Sequence, residues 1–157
     1  MNLLTPNRLQ SLAHRADAIF TPIAQVVTRI VFGQAFFLTG LGKLRNLPKI
    51  VEFFDSLGIP LADVQAPMVA TIECVGGILL ILGLGTRVTA CLLTCTMVVA
   101  LLTADRAKLF EGFAFSESFA DVAPLPFLVG VLWLLAKGAG KLSLDHLVVP
   151  RLLRQKS

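Results

Sequence analysis

Glu73 is the residue that most needs a chemical explanation. It stands inside residues 66–84, a run that holds nine Leu, Ile and Val residues. At roughly −0.3 to −0.6 kcal/mol each, those residues contribute about −3 to −5 kcal/mol to membrane insertion, and one acidic residue near the centre costs about 2.5 to 3.5 kcal/mol. A carboxylate placed there must face the interior of a bundle and find a partner or a proton. Lys43 is the leading partner, because it closes the preceding apolar run. Glu73 lies about 10 Å into its own run from the same end, at about 1.5 Å per residue. A lysine stem reaching inward spans part of that gap. Two readings follow. The pair either marks a polar pocket in which Glu73 binds a ligand or passes a proton, or it is a buried ion pair that fixes helix register.

Other polar residues in apolar runs are further candidates. Arg29 sits about one and a half turns inside the first run, where it can snorkel to the headgroups as a topology anchor. Arg87 lies in a tight turn and reads as an anchor or a carbonyl cap. Gln34 is mid-run, and its amide suits either a ligand carbonyl or a neighbouring helix. Thr39, Thr71, Thr94, Thr96 and Thr103 can each bond their own helix backbone. Gly33 and Gly40 share a face, and Gly76 and Gly77 are adjacent; such residues allow close helix approach or leave room for a flat ligand. Cys74, Cys91 and Cys95 could hold a soft metal such as Cu(I) if they met. Free cysteine is also a small buried apolar residue, and no CxxC occurs, so no metal site is assigned. His14 and His146 lie outside the apolar runs, which argues against haem ligation in the bilayer. No flavin or iron–sulfur site, nucleotide loop, hydrolase triad or HExxH motif is recognisable.

The elements that must position these residues are membrane helices. Hydrophobic residues make up 55% of the 157 residues and charged residues 15%, with a mean hydropathy of +0.79. Soluble domains carry roughly a quarter charged residues; lipid is the solvent that does not reward charge. Four spans are expected, at about 23–44, 67–84, 88–104 and 122–137, in one all-α domain: an integral membrane four-helix bundle. Only LGLGTR separates the second and third, so they form an antiparallel hairpin. The fourth is short and opens with Pro124 and Pro126. Short amphipathic helices are expected at the interface, at 7–20, 48–57 and 143–149. In the second of these, Ile50, Phe53, Phe54 and Leu57 share a face that rests at the interface or covers the bundle mouth. Pro22 suits the first turn of the first span. Residues 105–121 read as a polar, phenylalanine-rich loop. Ser143 is a cap for the last short helix, with Asp145 in its first turn.

The formal net charge is +4, and nine of the basic residues fall on the side shared by both termini and the second loop, against five opposite. The positive-inside rule then places both termini in the cytoplasm. Topology accounts for the basic residues, and nucleic-acid binding is not expected. The first 22 residues lack the apolar core of a cleavable signal peptide.

Four motifs in order resemble the DoxX family of small bacterial membrane proteins. They are RIVFGQAFFLTGLGK with Arg29, Gly33, Gly40 and Lys43, then LGIP at 57–60, ECVGGILLILGLGTR from Glu73 to Arg87, and GAGKLSLD at 138–145. The match covers roughly residues 25–147 and carries Arg29, Lys43, Glu73 and Arg87 as matched positions. The resemblance implies a four-helix inner-membrane bundle. It also implies a link to redox stress and to sulfur or metal handling, since the family is named for similarity to a subunit of a thiosulfate:quinone oxidoreductase. The expected role is an accessory subunit of a redox or stress-response system, more than a stand-alone enzyme. It would dock a protein partner and present a quinone-sized pocket near Glu73 and Lys43. A small transporter or ligand-binding membrane protein, working as a homo-oligomer, is the second expectation, and a membrane scaffold the third.

Overall fold

Pro22 was the expected start of the first span, yet in the computed structural model the helix runs straight through it. The structure describes residues 6–113, 122–140 and 142–146. Helix α1 spans Pro6–Arg45 as one 40-residue element with Pro22 inside it. A proline in a helix interior removes one backbone bond and crowds the preceding turn, a defect that membrane helices tolerate. The separate surface helix expected at 7–20 is therefore the beginning of α1.

Among the described residues five further helices follow: α2 (Leu47–Ser56), α3 (Ala62–Leu82), α4 (Thr86–Thr103), α5 (Arg106–Phe113) and α6 (Pro124–Lys137). Helix α3 begins five residues before the expected 67, after Leu61 adopts a left-handed conformation with φ of 54°. Pro67 thus lies inside the helix, not at its first turn. Helix α5 replaces part of the expected loop. Its residues pair at helical spacing: Arg106 lies over the Phe110 ring at 5.8 Å, and the Lys108 ammonium meets Asp105 at 3.5 Å. The alternation of phenylalanine and acid masked that period. Residues 114–121 of the expected loop, and 147–149 of the last expected helix, lie outside the described residues.

Among the described residues three helices are long and apolar enough to cross a membrane: residues 18–45 of α1, then α3 and α4. Helix α6 is apolar but has 14 residues, about 21 Å of helix against about 30 Å of hydrocarbon. It is nonetheless part of the bundle, because Val131 and Leu134 are fully buried with Phe36, Leu80, Leu93 and Met97 in one core. Phe127 of α6 packs edge-on against Phe36 at 5.1 Å and Phe32 at 6.2 Å. Edge-to-face aromatic pairs contribute about 0.5–1.5 kcal/mol each beyond their burial. Large apolar residues such as Val31, Val64, Val88, Leu102 and Val129 stay exposed around the outside, the surface a lipid solvent requires.

The closest packing is between α1 and α3, and glycine makes it possible. A Cβ on Gly40 would overlap the Cys74 backbone nitrogen, and one on Gly77 would come within 2.5 Å of the Gly33 carbonyl and the Phe37 nitrogen. Gly33 is blocked in turn by the Gly77 carbonyl at 2.8 Å. Small residues at these positions let the two backbones touch. The antiparallel crossing fixes two levels in the bundle. Arg29 is set beside the C-terminus of α3, and Lys43 is set beside Glu73.

Candidate functional site

Lys43 comes from the last turn of α1, and Glu73 from the interior of α3. Gly40 sits one turn before Lys43 and lies against Cys74, the neighbour of Glu73. That close approach brings the two side chains together: Lys43 Nζ donates to Glu73 Oε1 at 2.6 Å. The Glu73 side chain is fully buried, while that of Lys43 is 25% exposed. The second carboxylate oxygen, Oε2, is buried and has no hydrogen-bond partner among the described residues. Buried polar atoms are paired in the great majority of cases, and leaving one unpaired costs about 1–3 kcal/mol, more when it is charged.

Two cavities meet at this pair. The first, of about 290 Å³, is bounded by Ile50, Phe53, Phe54 and Leu57 of α2, by Met68 and Ile72 of α3, and by Cys95, Thr96 and Val99 of α4. The second, of about 250 Å³, lies between Phe36 and Thr39 of α1, Met97 and Ala100 of α4, and Pro124 and Phe127 of α6. Lys43 and Glu73 line both. The apolar face of α2 that the sequence marks is therefore a cavity wall. Asn46 leads into α2 and Gly58, with φ of 71°, turns the chain out of it. The result is an apolar chamber with a charged end, whose ammonium can donate and whose free carboxylate oxygen can accept.

The other candidates fall elsewhere. Gln34 is exposed on the outer face of α1 and takes no part in the chamber. Arg29 does not snorkel. It is 4% exposed, and its guanidinium donates to the carbonyls of Leu80 at 3.0 Å, Ile81 at 2.9 Å, Ala139 at 2.8 Å and Leu142 at 2.8 Å. It thus takes the capping role considered for Arg87, which is exposed and lies against Gly138 instead. Cys74 is half-buried and Cys91 and Cys95 are exposed, all as free thiols. The structure does not gather them: among the described residues no group of three or more His, Cys, Asp or Glu side chains is placed to hold a metal. Cys91 and Cys95 lie on the face of α4 that turns away from buried Leu93 and Met97. The five threonines do donate to their own helices, at 2.7 to 2.9 Å.

Sequence reasoning missed Thr39, Thr96, Met68 and Phe127 as chamber residues. No signal separated their face from the lipid face, since both are apolar. It also missed the role of Asp145. This carboxylate accepts from the backbone nitrogens of Gly85 at 2.6 Å and Thr86 at 3.0 Å, and so caps α4. Its own nitrogen donates to the Gly83 carbonyl at 2.9 Å. Ser143 does cap the turn at 144–146, accepting from the His146 nitrogen at 3.3 Å.

Apolar helices of spanning length, packed through glycines around a buried ion pair, define a small all-α membrane protein. The DoxX family pattern matches residues 24–106, more than half of the chain, and the chain belongs to the DoxX family. It is 34% identical over 92 residues to "Putative oxidoreductase CatD" of Bacillus subtilis, over 59% of this chain and 67% of that one. It is 35% identical over 132 residues to an uncharacterized membrane protein of Mycobacterium tuberculosis, over 80% and 81% of the two chains. Inner membrane protein YqjF of Escherichia coli is 29% identical over 133 residues, covering 80% of this chain and 92% of its own. No solved structure matches.

Proposed function

We propose that this DoxX protein is the membrane subunit of a redox or stress-response system, and that its Lys43–Glu73 chamber holds the head of a small amphipathic ligand, a quinone first among them. The observation that carries the reading is the unpartnered Glu73 Oε2, buried beside Lys43 at the charged end of an apolar chamber. The cavity of about 290 Å³ on the α2 side lies at the lower end of the range for small-molecule sites, roughly 300–1,000 Å³. The residues present fit a quinone head: the Lys43 ammonium suits a ring carbonyl, and Oε2 suits a ring hydroxyl. A bound quinone would supply the electron chemistry. The protein orients the head, keeps water from it and exposes the tail to lipid. The name of the Bacillus subtilis relative points the same way, and the reading implies a redox partner protein. Both termini would face the cytoplasm, following the basic residues.

Transport is the second reading, favoured by the ion pair's position between two cavities. It implies a homo-oligomer, because four helices are few for alternating access.

The test is native mass spectrometry of the protein in mild detergent with a water-soluble naphthoquinone, beside the double variant Lys43→Met/Glu73→Gln. The wild type is expected to retain the probe. The variant should lose roughly tenfold or more in affinity, the scale of a hydrogen bond to a charged group. Equal retention by both proteins would remove the chamber as the site.

A further inference from the structure

The opposite end of the bundle carries a second open groove, of about 510 Å³, lined by Arg87, Val88, Lys137, Gly138, Ser143 and His146 among others. Arg87 and Lys137 are both exposed. The Arg87 guanidinium passes the bare face of Gly138, where a Cβ would sit 3.4 Å from its Nε. Gly138 has φ of 73°, a conformation that favours glycine, and a Cβ there would be in ordinary van der Waals contact with the arginine. Among the described residues neither cation makes an ion pair. The one described carboxylate in the groove, Asp145, is already bound to the Gly85 and Thr86 nitrogens. Among the described residues the groove therefore presents unpaired positive charge.

Its depth in the membrane is marked by Trp133, which is 43% exposed. Lys137 Nζ stands over the Trp133 ring at 5.4 Å. An exposed tryptophan one turn before a lysine at a helix end belongs at the headgroup level. Val88 and Leu142, both more than 60% exposed, flank the groove with surface suited to acyl chains. Free phosphate would gain nothing from Val88, Leu142 or Trp133, whereas a phospholipid uses both the cations and the apolar rim.

We infer that this groove is a binding site for the phosphate headgroup of an anionic phospholipid, held by Arg87 and Lys137. The site is separate from the Lys43–Glu73 chamber and does not rest on its function. Each basic group near an anionic membrane surface contributes about a factor of five, so removing two should weaken binding on the order of twenty-five-fold.

The experiment is native mass spectrometry of the full chain in mild detergent, titrated with phosphatidylglycerol and, separately, phosphatidylcholine. The wild type should prefer phosphatidylglycerol, and the preference should shrink as salt is raised. Arg87→Gln/Lys137→Gln should lose the preference, whereas Arg45→Gln/Lys49→Gln, at the other end, should keep it. Arg87→Lys, which retains the charge, should keep most of it, and this milder change guards against loss of fold in the double variant. No preference in the wild type, or equal loss in both double variants, would overturn the site. Displacement of the lipid by millimolar glycerol phosphate would assign the groove to a soluble anion and overturn the lipid proposal.

Discussion

The two ends of the bundle use buried charge in opposite ways. At one end Arg29 donates to four backbone carbonyls from two segments of chain, and Asp145 accepts from two backbone nitrogens at the start of α4. These are the orphan groups of helix ends, which must find partners wherever water is scarce. At the other end Lys43 and Glu73 have each other, and one buried carboxylate oxygen is left over beside two cavities. A saturated charge holds a fold together. An incompletely satisfied one, facing space, is available to something that enters.

The largest expected effect is at the saturated end. Arg29→Met strips four carbonyl contacts at once, two of them buried, and should destabilise the protein by about 3–5 kcal/mol, the scale of breaking a buried charged network. Denaturant unfolding in detergent micelles checks this, and a change below about 1 kcal/mol would erase the contrast between the ends.

Next is Gly40→Leu, which forces α1 away from the Cys74 backbone. Overpacking of this kind costs about 1–3 kcal/mol. Because the same crossing sets Lys43 beside Glu73, naphthoquinone retention should fall with it. Unchanged retention would show that the ligand does not depend on that pair. Asp145→Ala then removes the cap on α4, for about 0.5–2 kcal/mol, and should leave retention in the distant chamber unaltered. Loss of retention in that variant would mean that the two ends are coupled.

Some of this contrast was legible in the residues. Hydropathy marked the runs that hold α3 and α4, and depth arithmetic put Lys43 at the end of its run from which its stem reaches part of the way to Glu73. The face formed by Ile50, Phe53, Phe54 and Leu57 marked the wall that α2 provides. What stayed hidden was rotation about the helix axes. In a soluble helix the polar face shows which side is outward, but here core and lipid are both apolar. Gln34 therefore gave no sign that it points out, nor Thr39 that it lines a cavity. The acceptors of Arg29 lie 51 to 113 residues away in sequence, and no local spacing announces them. Pro22 misled because a helix-start signal in water is a tolerated interior residue in a membrane helix.

The smallest stability change is expected where the functional effect is greatest, in Lys43→Met/Glu73→Gln. Replacing a whole buried ion pair with less polar groups is often neutral or stabilising, by about 1–4 kcal/mol. The most direct test of the contrast is the unfolding free energy of this double variant measured beside the wild type in the same micelles. The account predicts a stability equal to or above that of the wild type. A fall as deep as that of Arg29→Met would show that Lys43 and Glu73 are architecture like the opposite end, and would contradict it.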